Sequence, residues 1–279
     1  MALDIWDEVT LSVASQPPRL ALGPEERQYR DLVLLAATRC YDEIGVKSPE
    51  LHVTSMRDIP LGRGLGSSAA AIVAACVAAN SLAGAPLDLR ALGDLCSKIE
   101  GHPDNSTPCL FGGFQVCALA AGQLLHQSVP IPEGLRCVLF IPDFPLPTHE
   151  TRKLLPEHLS RSDVVFQTSR AALLVAAISA GALEHLREAT QDRLHQPARG
   201  QVFTGMQVLF EAALEAGALC VYLSGGGPTV LALDRGDGRG IRGALEAAAR
   251  AHHIGGETRV VLPSAEGAHV VPSPSTGEG

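Results

Sequence analysis

Between Pro60 and Ser68 the chain reads Pro-Leu-Gly-Arg-Gly-Leu-Gly-Ser-Ser and then meets no charged residue until Asp88. Gly62, Gly64 and Gly66 alternate with larger residues, so the backbone there is free to take left-handed torsions and to approach a ligand closely. The Ala-rich stretch that follows, Ala69 to Ala83, reads as a buried helix, because alanine has the best helix propensity and its small side chain permits close packing. A glycine loop that feeds directly into a core helix leaves few folds open. It also aims the helix's free N–H groups and positive dipole end back at the loop, an arrangement that suits phosphate. Ser67 and Ser68 add hydroxyls at the helix start, for capping or for contact with phosphate or metal. The loop is not a Walker A motif, since no Gly-Lys-Ser/Thr occurs. It is also a poor Rossmann fingerprint, with its third glycine one position early and a proline in the preceding segment.

The chain's 279 residues allow one large domain or two ordinary ones. Hydrophobic residues at 46% and charged residues at 19% are ordinary globular values. A formal charge of -8, from 22 Lys+Arg against 30 Asp+Glu, argues against nucleic-acid or anionic-membrane partners. The longest uninterrupted apolar run, Ala69 to Ala79, is eleven residues. A membrane span needs about 20, so the reading is a soluble, cytoplasmic protein. Seven cysteines without any Cys-x-x-Cys pair fit reduced thiols rather than a metal or redox motif. The start, Met1-Ala2-Leu3-Asp4-Ile5-Trp6, lacks a secretory signal and passes at once into a strand-like alternation through Val13.

A Pro/Gly-containing connection from Gln16 to Pro24 follows, then a helix from Glu25 to Gly45, a strand over Leu51–Ser55, the glycine loop and its helix, and a helix over Leu87–Ile99. Two short strands flank Ala121-Gly122, and the Pro/Gly segment Pro130–Gly134 marks a soft boundary. The expected domains are therefore 1–132 and 133–271, with a disordered tail over 272–279. The second half predicts strands at Cys137–Ile141, Cys220–Leu223, Val230–Leu233 and Thr258–Leu262. Helices are expected near Arg161–Ser179, Leu183–Thr190, Gly205–Glu215 and Arg239–His252.

Three further segments carry chemistry. Glu100-Gly101-His102-Pro103-Asp104-Asn105 puts two carboxylates, an imidazole and an amide within six residues, enough to hold a metal, orient a hydroxyl or move a proton. The same residues also suit a plain turn. Ser224-Gly225-Gly226-Gly227-Pro228-Thr229 is a glycine-rich turn between two apolar strands, either a second ligand loop or a tight hairpin. Arg152 and Arg199 offer guanidinium forks for carboxylate or phosphate, though a single surface arginine is more often only solvated.

Together these segments resemble the GHMP family of small-molecule kinases, and within it the homoserine kinases. Pro60–Ala70 is similar to the family's second motif and Leu223–Val230 to its third. Glu100–Asn105 followed by Phe111-Gly112-Gly113, Thr148-x-x-x-Arg152 with Leu155-Pro156, and His195-Gln196-Pro197-x-Arg199 resemble the homoserine subgroup. The resemblance implies an α+β two-domain fold: an N-terminal ribosomal-protein-S5-like domain with a left-handed βαβ unit, and a ferredoxin-like C-terminal domain. It implies transfer of the γ-phosphoryl of ATP, with Mg2+, to the side-chain hydroxyl of L-homoserine, a step toward threonine. Pro60, Leu61, Gly62, Arg63, Gly64, Leu65, Gly66, Ser67, Ser68, Ala69 and Ala70 would bind ATP. Glu100 with Ser68 would bind the metal, with Asp94 as an alternative ligand. His102, Asp104, Arg152 and Arg199 would bind homoserine, and Thr148 and Arg152 would act near the γ-phosphate. Asn105 stands where many relatives carry a catalytic aspartate. A homodimer is a family expectation. The family's opening strand and Ser-x-Asn-Leu-Gly-Pro-Gly-Phe-Asp-like loop have no counterpart here, so roughly 15–20 residues, including an inner strand and substrate ligands, are expected to be missing ahead of Met1. The rival readings are another GHMP kinase and a non-catalytic nucleotide- or metabolite-binding relative.

Overall fold

The computed structural model describes residues 1–13, 22–146 and 148–271, without the side chains of 148–150. The expected tail over 272–279 and most of the Gln16–Pro24 connection lie outside the described residues.

The N-terminal half contains β1 (Glu8–Val13), α1 (Pro24–Ile44), β2 (Leu51–Met56), α2 (Ser67–Leu82), α3 (Leu89–Glu100), α4 (Pro103–Phe111), β3 (Phe114–Ala120) and β4 (Gln123–Val129). Helix α1 opens with Pro24 at its first position and ends on Gly45, whose φ of 81° closes it in the left-handed region. Helix α2 is apolar nearly all round, as its composition predicts, and its alanines let α1, α3 and α4 pack around it. Asn80, only 6% exposed, is satisfied on both sides. Its amide donates to the Leu87 carbonyl at 2.9 Å and its carbonyl accepts from the Leu87 N–H at 3.0 Å, which fixes the α2–α3 turn. Among the described residues β1 pairs with β2 alone and β3 with β4 alone, both antiparallel. A groove of about 1310 Å³ runs along the unpaired edge of β1, floored by Ala70, Ala74 and Val77 of α2 and walled by the extended segment from Leu262 to Val271.

The C-terminal half contains β5 (Arg136–Pro142), α5 (Thr148–Lys153), α6 (Arg161–Ala180), a 3-10 turn (Leu183–His185), α7 (Leu186–Ala189), α8 (Gln196–Arg199), α9 (Met206–Glu215), β6 (Cys220–Leu223), β7 (Val230–Asp234), α10 (Arg239–Ala251) and β8 (Gly256–Val261). Its sheet runs β6-β7-β5-β8, antiparallel throughout. Strand β5 is covered on both faces, which is why it reads as an unbroken apolar run rather than an alternation. Val138 and Phe140 face a core with α9 and α10, while Cys137, Leu139 and Ile141 face a second core with α6 and Leu186. That second core also takes in Val129, Leu3, Ile5 and Leu65 from the other half. The parallel strand pair of a βαβ unit is not formed among the described residues.

Three helices depart from the sequence expectation: α4, α5 and the single turn α8, which forms over Gln196–Arg199 where no helix is expected. Pro103 at the first position of α4 starts a helix where the composition suggests a turn, since proline's fixed φ suits that position. Helix α5 forms inside the Pro-rich loop after β5. Helix α6 is long and apolar enough, by length and composition alone, to cross a membrane. Its polar side is tied down within the protein: Asp163 pairs with Arg193 at 3.4 Å and Arg170 with Glu188 at 3.7 Å. Phe166 lies between the Arg170 and Arg193 guanidinium groups, at 4.2 and 3.9 Å.

Candidate active site

The loop between β2 and α2 is fixed at its entry by Asp7. One Asp7 oxygen accepts the N–H groups of Asp58 and Ile59 at 2.8 and 2.9 Å, and the other accepts the Tyr29 hydroxyl at 3.4 Å. Leu61 packs on the helical core of the N-terminal half and Leu65 on the core shared with the C-terminal sheet, so the loop is anchored in both halves. Gly62, Gly64 and Gly66 all have φ between 65° and 80°. At Gly64 the close approach the sequence suggests is realised against protein. A Cβ there would lie 2.3 Å from the Ser224 carbonyl oxygen and 2.8 Å from that of Gly227.

The two glycine loops are thus locked backbone to backbone. Ser224 Oγ donates to the Gly64 carbonyl at 2.8 Å and the Thr229 N–H to the Arg63 carbonyl at 3.2 Å. On the other side the Leu146 N–H donates to the Gly62 carbonyl at 3.0 Å, and the Arg63 guanidinium donates to the Asp143 carbonyl. Ala69 and Ala70 are buried in the first turn of α2, so only their backbone can face a ligand in the loop.

At the start of α2, Ser68 Oγ donates to Glu100 at 2.8 Å across the end of α3. The Glu100 side chain is only 9% exposed. Burial raises its carboxyl above the usual range, partly opposed by the Ser68 hydrogen bond and by the charges of His102 and Arg152. His102 stands 3.9 Å from Glu100 on one side and bonds Asp104 on the other. The Asn105 side chain, on α4, lies 3.8 Å from where a Cβ on Gly66 would be, at the mouth of the loop. Ser68, Glu100, His102, Asp104 and Asn105 therefore form one continuous wall. Asp94 is elsewhere: its carboxylate accepts the Leu124 N–H at 2.6 Å, and six residues before Glu100 it lies about 120° around α3. That sets it apart from the Ser68–Glu100 pair.

Arg199 closes the opposite side. It is 8% exposed, donates from Nη1 to the Gly225 carbonyl at 2.7 Å, and its buried Nε has no partner among the described residues. Arg152, on α5, is exposed and acts electrostatically on both Glu100 and Arg199. Thr148 begins α5, but its side chain lies outside the described residues. Two site-shaping carboxylates escape the sequence reading: Asp7, whose partners are 22, 51 and 52 residues away, and Asp192, which caps the turn two to four residues on, just before Arg199.

Comparison with known proteins matches residues 31–113 to the GHMP kinases N terminal domain and 173–251 to the GHMP kinases C terminal domain. The chain is 37% identical over 275 residues to a homoserine kinase of Moorella thermoacetica, covering 97% of this chain and 93% of the relative. The chain belongs to the GHMP kinases, in their homoserine kinase branch. A homoserine kinase of Thermus thermophilus is 40% identical over 236 residues, 84% of this chain and 80% of the relative. The crystal structure of homoserine kinase from Cytophaga hutchinsonii superposes with a TM-score of 0.84 at 27% identity, covering 95% of this chain and 89% of that one. The two-domain GHMP kinase fold is thereby shown, with the locked glycine loops at the junction of its halves.

Proposed function

We propose that this GHMP kinase transfers the γ-phosphoryl group of ATP to the side-chain hydroxyl of L-homoserine, giving ADP and O-phospho-L-homoserine in threonine biosynthesis. The observation that carries the proposal is the junction itself. A phosphate-type loop, an exposed hydroxyl bonded to a largely buried carboxylate, and a buried, partly unpaired arginine converge there, in a chain 37% identical to a named homoserine kinase.

The backbone N–H groups of Gly62 to Ser68 and the positive end of α2 bind the phosphates, with Ser67 beside them. Phosphoryl transfer is mostly positioning and charge neutralisation, so a rigid loop is the main requirement. A hydroxyl and one buried carboxylate form a hard oxygen donor set of the kind Mg2+ takes together with substrate phosphates and water, so Ser68 and Glu100 fit that ion. When bound, Mg2+ supplies neutralisation of phosphate charge. Asn105 cannot accept a proton. Its amide orients the attacking hydroxyl, whose proton passes to a phosphoryl oxygen rather than to an enzymic base. His102 and Asp104 receive the substrate ammonium, and Arg152 and Arg199 its carboxylate or the moving phosphoryl group, with Thr148 near the γ-phosphate.

The same reading places the protein in the cytoplasm as a homodimer, with its domains divided at 132/133. The ion pairs that tie α6 to the body support a surface helix rather than a membrane span. The test is an acceptor panel with MgATP: L-homoserine, mevalonate, shikimate and simple sugars. ADP release dependent on homoserine is expected. Turnover of another alcohol well above homoserine would overturn the substrate assignment, and ATP binding without turnover of any acceptor would favour a non-catalytic relative.

A further inference from the structure

Arg199 sits at the end of α8, a helix of four residues. One isolated turn has no stability of its own, because nucleation costs more than a single hydrogen bond returns. Something outside the helix must hold it. At its start stands Asp192, whose side chain is 10% exposed. That carboxylate accepts the N–H of Leu194 at 3.2 Å, of His195 at 2.7 Å and of Gln196, and lies 3.4 Å from His195 Nδ1. Three consecutive backbone donors on one carboxylate fix the direction in which the chain enters α8. Burial by itself would raise the Asp192 carboxyl, but the hydrogen bonds from the His195 side chain and from Gln196, Leu194 and His195 backbone N–H groups bring it down to about 2. The carboxylate stays ionised across the working pH range.

Asp192 also acts through charge. Burial depresses Arg199, and the field of Asp192 opposes that effect while Arg152 adds to it. Gln196 completes the frame: its side-chain carbonyl accepts the Leu223 N–H at 2.9 Å, docking α8 on the end of β6 just before the second glycine loop. The guanidinium then reaches the Gly225 carbonyl at 2.7 Å, and the same loop is locked onto Gly64. A continuous set of contacts therefore runs from Asp192 through α8 and Arg199 to the phosphate loop.

We infer that Asp192 is the positioning residue of the acceptor side, setting Arg199 against the second glycine loop by gripping the backbone that leads into α8. It touches no substrate. Its work is to keep a buried, incompletely paired guanidinium aimed at the place where an acceptor's anionic group must sit. This rests on the homoserine kinase reading for the identity of the acceptor, but the placement of Arg199 is a property of the protein alone.

A double-mutant cycle on the full chain tests it, using Asp192→Ala, Asp192→Asn, Arg199→Ala and Asp192→Ala/Arg199→Ala, with thermal melts to check folding. Asp192→Ala is expected to raise KM for L-homoserine about ten-fold or more while KM for ATP moves less than about two-fold. Asp192→Asn, which keeps an acceptor oxygen, is expected to fall between Asp192→Ala and the unmutated chain. The double variant should be no worse than Arg199→Ala alone, because the first residue acts through the second. Additive losses, or equal rises in both KM values, would overturn the inference. If the unmutated chain does not phosphorylate homoserine, the functional reading fails, and the inference is then decided by a crystal structure of Asp192→Asn. Loss of the Arg199–Gly225 contact would support it, and an unmoved guanidinium would sink it. Should Asp192→Ala fail to fold, Asp192→Asn carries both measurements.

Discussion

The two halves of the molecule solve the same packing problem differently. In the C-terminal half, β5 pairs along its length with β7 on one side and β8 on the other, and helices cover both faces. In the N-terminal half the described strands form two separate pairs, and the core is built from α1, α2 and α3 instead. Strand β1 is mostly exposed and borders an open groove, while β5 is almost wholly buried. The lesson concerns the phosphate loop, which belongs by sequence to the half with the broken sheet. Beyond its anchors at Asp7 and Leu61, it is held from across the junction: Ser224, Gly227 and Thr229 hold Gly64 and Arg63, and Leu65 is seated in the core behind β5. The half with the complete sheet thus supplies the backing for the loop contributed by the other.

The largest effect expected from that contrast is at Gly64. Gly64→Val puts a side chain into backbone at 2.3 Å in a left-handed conformation. It should abolish measurable ATP binding by titration calorimetry, with secondary structure retained by circular dichroism. Within the protein a Cβ at Gly66 has Asn105 as its nearest neighbour at 3.8 Å, so Gly66→Ala carries the left-handed strain of about 1–2 kcal/mol without a backbone clash, and ATP binding should weaken less than in Gly64→Val. Equal behaviour of the two variants would contradict the interlock.

Next comes a stability contrast between the sheets. Leu139→Ala, in a fully buried position on β5, should cost about 2–5 kcal/mol in urea unfolding. Val116→Ala on β3, 40% exposed, should stay within about 0.5 kcal/mol. Comparable losses would mean that the separate strand pairs bear as much load as the closed sheet.

The smallest effect is at Glu100. Its carboxyl is raised in the folded chain, mainly by burial, so its contribution to stability is present below the unfolded pKa and is lost as pH rises through the folded value. Glu100→Gln should therefore raise the melting temperature slightly at pH 8 without ligand and not at pH 4. Its Mg2+-dependent turnover should fall at the same time. A drop in melting temperature at pH 8 would contradict the assignment of burial as the cause.

Much of this was legible in the chain. The first glycine loop could be read because alternating glycines ahead of an apolar helix suit phosphate, whereas the three consecutive glycines of Ser224–Thr229 serve equally as a hairpin; β5 could be read because a strand buried on both faces leaves a continuous apolar signature. Helix α4 was not, since Pro103-Asp104-Asn105 serves equally as a turn, and only the packing of Ser106, Thr107 and Leu110 into the interior decides for a helix. Asp7 and Asp192 were invisible for another reason. A lone aspartate has no pattern, and the value of each comes from the backbone it caps: for Asp7 that backbone is brought in by tertiary structure, and for Asp192 its importance lies in where α8 then points. The Arg199 motif named the residue, but not that its guanidinium would be buried against Gly225.

The central claim is that the junction of the halves carries a phosphoryl group from ATP to homoserine. Phosphorus NMR of the full chain with MgATP and L-homoserine follows this directly. The account predicts a phosphomonoester resonance growing in step with ADP and absent when homoserine is withheld. ADP accompanied only by inorganic phosphate, or no change in the ATP resonances, would contradict it.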